Sequence, residues 1–392
     1  MNYRTTICAC AALISIAPAW AQEEAASTAT QAASMSTQGA STATQDAGPI
    51  TIYGSIDQGV QHLSNVATGK TAAPAYQVGA GTAASFFGFR GIEDLGGGLK
   101  AVWNLEGGFL ASDGVSSQGD RLFGRQAYVG LDGRFGRLTF GRQYTMRAYA
   151  LSPINPFGDG SQGLTTLDNG IANPRADNAI SYRVYLIGGL EAGVNYSFAR
   201  DGVTATPVSV VATNCPGEPT SWQECKESSV LLKYTGNAWG VASAYERNNG
   251  GTSATYGGLT SPKLTDSRLI VGGNVLVSDV KIGVGLIKRT DLGIATPRSN
   301  LDFLSVTAPV TPYISIDGML AELKYDQSPN KALVEVLRFT YSLSKHTSLY
   351  VTADHIQNSG HLALAASTML PVGDPPPGGA QTSIIAGIKV KF

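Results

Sequence analysis

The last nine residues of the chain, Ile384–Phe392, form an alternating pattern that stops on an aromatic side chain. Apolar or small residues at every second position are typical of a β-strand with two different faces. A strand that ends with an aromatic ring beside a terminal carboxylate suits the interfacial aromatic girdle of a transmembrane barrel. This end of the chain therefore predicts a strand that lies in a membrane.

The beginning of the chain agrees with export. Arg4 supplies a positive charge, Thr5–Pro18 is apolar or small, and Ala19–Ala21 reads as an A-x-A cleavage site. We therefore expect residues 1–21 to be a signal peptide that is cleaved. Residues 22–49, rich in Ala, Ser, Thr and Gln, are expected to be a disordered, low-complexity N-terminal extension. Residues 50–392 are expected to form the barrel.

Composition supports a membrane barrel over the other large classes. The 392 residues include 47 glycines and 16 tyrosines, and only 15% are charged. After the first 21 residues no apolar run approaches the ~18 residues of a spanning helix, whereas transmembrane strands alternate and so average out in hydropathy. The formal net charge of −1 argues against a nucleic-acid partner.

Two cysteines remain after the expected cleavage, Cys215 and Cys225. They lie in a segment that also contains Pro216, Gly217 and Pro219, which is typical of a loop. In an oxidising compartment such a pair favours a disulfide over a metal site, since no further Cys or His stands nearby. We expect no metal and no cofactor.

Alternating segments separated by turn residues predict sixteen antiparallel strands. Tight turns alternate with longer connections, and this asymmetry is typical of periplasmic turns and extracellular loops. An even number lets the first and last strands pair and close the sheet. The twelfth predicted strand, Leu301–Ala308, is the weakest assignment, so a total of fourteen or eighteen strands remains an alternative. The predicted strands are Thr51–His62, Thr82–Gly91, Leu99–Leu110, Leu122–Leu131, Arg137–Thr145, Asn178–Ile187, Leu190–Ala199, Ser229–Thr235, Trp239–Arg247, Arg268–Val277, Val280–Arg289, Leu301–Ala308, Ser315–Tyr325, Ala332–Leu343, Thr347–Gln357 and Thr382–Phe392.

Five strings in order, together with Phe392, resemble the general porins of Gram-negative bacteria, and most closely the beta-proteobacterial branch. The resemblance covers about 340 residues. It implies a homotrimer of sixteen-stranded barrels in outer-membrane lipid and lipopolysaccharide, each with a water-filled pore for ions and small hydrophilic solutes, narrowed by an infolded third loop. The strings are Thr51–Gly59, Gly88–Ala101, Phe123–Leu131, Phe140–Tyr144 and Tyr341–Tyr350.

A pore of this kind sets basic residues on one wall against carboxylates on the infolded loop. The third long connection runs from Tyr144 to Arg175, and its Asn155–Gly160 segment is similar to the family's turn at the loop tip. Asp159 is the first candidate for the acidic side and Asp168 the second. The alternative for both is a solvated loop carboxylate.

The basic side departs from the family pattern. Relatives usually read Ser-Arg-x-Gly-Phe-Lys-Gly where this chain reads Ser85-Phe-Phe-Gly-Phe-Arg-Gly91. Alternation puts Phe86, Gly88 and Arg90 on the lumen face, so Phe86 is expected to project a ring into or beside the pore. Arg90 lies ~13 Å lower along the strand and is expected to fix a turn at the rim.

Three arginines complete the predicted basic wall: Arg125, which matches an inward arginine of the family, then Arg183 and Arg175. This register sends Tyr128 to the lipid face. With an arginine missing at Phe86, we expect only a weak anion preference.

Arg142 falls on the apolar face when the residues are counted by two, and a lipid-facing arginine costs roughly 2–4 kcal/mol. We therefore expect it at a subunit interface, unless a bulge at Gly141 shifts the register.

Other functions fit the sequence less well than a pore. His355 and Ser359 superficially resemble the arrangement of the outer-membrane phospholipase, but they are four residues apart and straddle a strand end, so no enzyme is expected. A substrate-specific channel for a sugar or small organic acid is the alternative, with Phe86 as part of an apolar slide. An adhesin or surface anchor that acts through its loops is a third class, for which no motif argues.

Overall fold

A computed structural model describes residues 50–119, 121–201, 215, 221–252, 258–369 and 373–392. The expected signal peptide and N-terminal extension lie outside the described residues. The described part is almost entirely antiparallel sheet, with three short helices, α1 (Met146–Leu151), α2 (Leu164–Leu167) and α3 (Asn169–Ala172), and a 3-10 turn at Ile187–Gly189. No helix in this part is both long and apolar enough to cross a membrane.

Seventeen strands are hydrogen-bonded in one continuous antiparallel sheet within the described ranges. Strand β1 pairs with both β17 and β2/β3, so the sheet closes on itself. The strands are β1 (Thr51–Thr68), β2 (Thr71–Gly79), β3 (Ser85–Gly96), β4 (Leu99–Phe109), β5 (Gln126–Gly133), β6 (Gly136–Tyr144), β7 (Arg175–Tyr185), β8 (Leu190–Ser197), β9 (Glu227–Thr235), β10 (Trp239–Asn249), β11 (Thr265–Val277), β12 (Val280–Asp291), β13 (Arg298–Thr311), β14 (Ile314–Tyr325), β15 (Lys331–Ser342), β16 (Thr347–Ser359) and β17 (Ala380–Lys391).

The barrel nevertheless has sixteen strand positions around its circumference, because β2 and β3 share one position. Both pair with β1, β2 with its second half and β3 with its first. Asp57 explains the break between them: its buried carboxylate accepts hydrogen bonds from the backbone N–H groups of Gly81, Thr82 and Ala83. Those three amides leave the strand ladder to bind the carboxylate. The sixteen-stranded prediction is confirmed, and the β1–β2 hairpin above the break is the part that the pattern did not predict.

Alternation along the strands separates a lipid face from a lumen face. On β1, Ile52, Ile56 and Val60 are exposed at 64%, 43% and 58%, whereas Asp57 and Gln61, which follow Ile56 and Val60, are fully buried. Apolar residues on the outside and polar residues inside are what a bilayer requires of a spanning barrel. The expected period of two is therefore confirmed.

The last residue completes the closure. The backbone N–H of Phe392 donates to Gly54 O at 3.1 Å, and its carbonyl accepts from Gly54 N at 2.9 Å. Pairing continues from Ser55 opposite Lys391 to Leu63 opposite Ser383. The terminal strand thus leaves no open edge along this seam.

Candidate pore constriction

Residues 145–174, the third loop, fold into the barrel and pack against one half of its wall. Seven apolar side chains of the loop are buried with inward residues of β9–β16, including Ile270, Leu301, Phe303 and Met319. Burial of one such side chain contributes roughly 1.5–3 kcal/mol, so apolar packing holds the loop more firmly than any single polar contact. The loop residues are Met146, Leu151, Ile154, Phe157, Leu164, Leu167 and Ile171.

Hydrogen bonds fix the loop at several points of the wall. Ser305 Oγ donates to Ile154 O at 2.7 Å, and Arg338 Nη2 donates to Pro156 O at 2.9 Å. Near the tip, Ser161 Oγ donates to Gly81 O at 3.0 Å. The loop therefore crosses the lumen from the β13–β15 wall to the bend between β2 and β3, and the tip is held in place.

Asp159 at the loop tip meets two arginines of the opposite wall. Its Oδ2 lies 2.7 Å from Arg175 Nη2 and 3.6 Å from Arg125 Nη1. Tyr144 Oη accepts a hydrogen bond from each arginine, at 2.7 Å from Arg175 and 3.3 Å from Arg125. The structure thus brings together three residues that the sequence analysis named for the constriction.

Glu106 on β4 is a second carboxylate of the same group. Its Oε1 lies 2.5 Å from Arg125 Nε, and its Oε2 lies 2.7 Å from Tyr53 Oη. Tyr53 Oη also lies 2.8 Å from Asn104 Oδ1. Glu106 was not predicted from the sequence, although the alternation of β4 places Asn104 and Glu106 on one face and is a signal for it.

Phe86 lies on the lumen face beside this group. The Cζ of Arg125 stands 4.6 Å from the centre of the Phe86 ring, a cation–π distance. The ring also meets Tyr53 edge-on, with centroids 6.1 Å apart. The Phe86 ring thus lies on the lumen face, which is the face that the alternation of the strand predicts for it.

The electrostatics of the tip follow from these distances. Burial alone favours the neutral form of Asp159, but the guanidiniums of Arg125 and Arg175 outweigh it and lower the pKa of Asp159 to about 2. Around Tyr144, the described residues place two guanidiniums, Arg125 and Arg175, against two carboxylates, Glu106 and Asp159. Beside the loop tip, Lys389 and Asp57 both contact Thr82 and add one charge of each sign. The local charge is therefore close to balanced.

The chain is similar to known outer-membrane proteins over most of its length. The sequence pattern of the Gram-negative porin family matches residues 12–361. The chain belongs to the Gram-negative porin family. It is 30% identical to outer membrane porin protein 32 of Delftia acidovorans over 379 residues, 88% of this chain and 94% of the relative. It is 29% identical to an outer membrane porin of Bordetella pertussis over 321 residues, 74% of this chain and 81% of the relative.

Solved structures agree as well. An anion-selective porin from Comamonas acidovorans superposes with a TM-score of 0.67 at 25% identity, covering 88% of this chain and 99% of that one. A trimer form of OmpT from Vibrio cholerae gives a TM-score of 0.58 at 15% identity, covering 88% of this chain and 100% of that one, and shows likeness of fold alone. This porin is an outer-membrane channel for passive diffusion, and its family consists of channels rather than enzymes.

Two predicted constriction residues of this porin have other partners. Arg183 lies on the lumen wall, but Nη1 pairs with Glu191 at 3.0 Å and the guanidinium stacks on Tyr149 at 4.0 Å. Asp168 binds Arg268 through both carboxylate oxygens at 2.7 Å. Burial opposes the charge of Asp168, but Arg268 and Arg289 hold the pKa of this carboxyl below its usual range. Asp168 is an anchor of the third loop, and neither residue faces Asp159.

The register after Arg125 differs from the prediction. Arg125 precedes β5, and its backbone N–H donates to Glu106 O. Tyr128 stands opposite Asn104 on the lumen face, whereas Val129 is 57% exposed on the outside. The prediction that Tyr128 faces lipid is wrong, because counting by two from Arg125 assumed that the regular strand already included it.

Arg142 is turned inward by a bulge. Gly141 has φ of +126°, and the pairing of β6 with β7 shifts between Gly141 and Gln143. Arg142 Nη1 pairs with Asp177 at 2.6 Å and Nε donates to Gly124 O at 2.6 Å. The guanidinium is therefore satisfied in part within its own chain and is not presented to lipid.

Two further predictions concern the cysteine pair and His355. Cys215 and Cys225 are joined by a disulfide, with their Cα atoms 5.2 Å apart. His355 is exposed, and its Nδ1 lies 2.9 Å from Thr382 Oγ1, not beside Ser359. No cluster of three or more His, Cys, Asp or Glu residues suited to a metal ion occurs among the described residues.

Proposed function

We propose that this porin is a homotrimeric diffusion pore with only a weak preference for the sign of an ion's charge. The observation that carries the proposal is the balance at the constriction, where Arg125 and Arg175 are matched by Glu106 and Asp159. Phe86, which lies against Arg125, adds no charge to this group. The solutes are ions and small hydrophilic molecules.

The remaining features of the chain fit export and assembly in the outer membrane. Residues 1–21 act as the cleaved signal peptide, residues 22–49 form an extension, and residues 50–392 form the barrel. The exposed apolar faces of the strands contact outer-membrane lipid, and lipopolysaccharide on the outer leaflet.

Arg142 supports a nearby subunit contact. Its Nη2 atom is buried without a hydrogen-bond partner among the described residues, and a buried unpaired donor costs about 1–3 kcal/mol. Because this guanidinium is already buried within one chain, Arg142 would act on the subunit contact indirectly, by holding the bulge at Gly141 and the segments around Gly124 and Asp177 in place. Arg142→Ala should then lower the temperature at which trimers dissociate on a denaturing gel, and an unchanged temperature would remove Arg142 from the interface.

Solute flux into liposomes tests the function. Liposomes carrying the porin should take up a neutral pentose, an organic anion and an organic cation of similar size at similar rates, without saturation. A large difference by charge sign would contradict the balanced constriction. Saturation by the neutral sugar would favour a specific sugar channel instead.

A further inference from the structure

Four side chains beside the constriction form a continuous stack of cations and aromatic rings. Arg125 lies over Phe86 at 4.6 Å, Phe86 meets Tyr53 edge-on at 6.1 Å, and Arg90 lies over Tyr53 at 5.0 Å. The stack follows the lumen face of β1 and β3 from the loop tip toward the rim with the tight turns. Guanidinium groups stand at both of its ends.

Gly88 makes the stack continuous. It lies between Phe86 and Arg90 on the same face of β3 and directly opposite Tyr53. A Cβ atom at Gly88 would stand 2.8 Å from Cζ of Tyr53, so any larger residue would push the ring away. The glycine thus leaves the slot in which the tyrosine ring lies between its two neighbours.

The two arginines differ in whether their guanidinium groups are already paired with carboxylates. Arg125 is buried and paired with Glu106 and Asp159. Arg90 is exposed and makes no ion pair with any carboxylate of the described residues. Phe86 and Tyr53 are only partly buried, so each ring keeps some surface open to the lumen.

We propose that this stack is a binding site for aromatic monocarboxylates that cross the channel. The carboxylate binds the open guanidinium of Arg90, and the ring of the solute packs on Phe86 and Tyr53. This inference rests on the proposed diffusion pore, since the solute reaches the site only through the lumen. It names a solute class that the pore retains briefly while other small solutes pass.

The chemistry of the site selects for both parts of the solute. A planar guanidinium binds a carboxylate through two parallel hydrogen bonds. An aromatic pair is more stable than its buried area alone provides, an advantage that an aliphatic ring of the same size lacks. A neutral aromatic solute would lack the contact with Arg90. Charge and ring together are therefore needed.

The experiment records single-channel current through the porin in a planar bilayer, with benzoate added to one side and then the other. Cyclohexanecarboxylate is the control for charge and size, and benzamide is the control for the ring. Phe86→Leu and Arg90→Gln test the site. Phe87→Leu is the matched control variant, because Phe87 stands on the opposite face of the same strand, beside Phe89 and Phe109.

Benzoate should interrupt the current in a saturable way, at concentrations roughly tenfold lower than cyclohexanecarboxylate, as expected for ~1.4 kcal/mol. Phe86→Leu and Arg90→Gln should each remove most of this difference, and Phe87→Leu should keep it. The inference would be overturned if benzoate and cyclohexanecarboxylate had equal effects, or if Phe86→Leu still distinguished the two acids fully. The proposed diffusion pore would stand in either case, provided that the channel still conducts KCl.

Calorimetry of the detergent-solubilised porin separates the two failures further. Benzoate should release or absorb heat on binding, and cyclohexanecarboxylate should do so only at about tenfold higher concentration. If neither the unmodified porin nor its variants conducted KCl, the proposed function would fail. The calorimetric comparison of the two acids would still decide whether the binding site exists. Equal titration curves for the two acids would overturn it.

Discussion

Replacing Asp159 with asparagine removes one of the two carboxylates that balance Arg125 and Arg175, at 3.6 and 2.7 Å. The side chain keeps its size, so the change at the loop tip is chiefly electrostatic. The constriction of Asp159→Asn carries one net positive charge. We therefore expect the variant to prefer Cl⁻ over K⁺ more strongly than the unmodified porin.

The magnitude follows from Coulomb's law. For an ion about 6 Å from the removed charge, the interaction is about 0.7 kcal/mol at the dielectric constant of water. Because K⁺ and Cl⁻ are affected with opposite sign, their relative free energies change by about 1.4 kcal/mol, or roughly tenfold in permeability ratio. At 0.1 M salt the Debye length of ~10 Å reduces this to roughly three- to fourfold, and at 1 M the ~3 Å length nearly abolishes it.

Reversal potentials in a planar bilayer under a KCl gradient measure this ratio. Asp326→Asn is the matched control, since Asp326 is an exposed carboxylate in the connection between β14 and β15. The control should leave the reversal potential in place. An unmoved potential in Asp159→Asn at 0.1 M salt, with normal conductance, would refute the constriction that we describe.

Three further outcomes are expected. Phe86→Arg should shift the reversal potential toward anions at low salt, and no shift would show that Phe86 does not line the constriction. Attraction by Arg125 and Arg175 lowers the pKa of Asp159 in the folded protein from 3.8 to about 2. Its charge should therefore persist from pH 7 to about pH 4 and be lost only as pH falls toward 2. If the reversal potentials of the unmodified porin and of Asp159→Asn became equal at pH 5, that would contradict the ion pairs. Cys215→Ser removes a disulfide between residues 10 apart in sequence, which stabilises its loop by roughly 2–3 kcal/mol. The variant should therefore be cleaved faster by protease in that loop, with unchanged conductance. Loss of channel activity would contradict a purely local role.

Local patterns predicted the fold well because they depend on neighbouring residues. The alternation of Ile52, Ile56 and Val60 with buried polar residues defines both faces of β1 without any distant information. The bend at residues 80–84 was not predictable in this way. It depends on Asp57, more than twenty residues earlier, whose carboxylate binds three backbone amides there.

The site was predicted in part for the same reason. Asp159 was found because its turn is local, and the partner of Asp168 was not, because Arg268 is 100 residues away in sequence and across the barrel. Arg183 met Glu191 on the adjoining strand, a pairing that requires the register of β7 and β8. The apolar lumen wall under the third loop is visible in the sequence of β11. Leu269, Ile270 and Val271 are consecutive apolar residues, so both faces of this strand are apolar there.

The reversal potential of the unmodified porin in a salt gradient tests the balanced constriction most directly, because a single recording gives conductance and ion preference together. We expect current steps in groups of three and a reversal potential close to zero in a KCl gradient at low salt. A reversal potential near the Cl⁻ or K⁺ equilibrium value would show that the charges of Arg125, Arg175, Glu106 and Asp159 do not offset one another in the open pore.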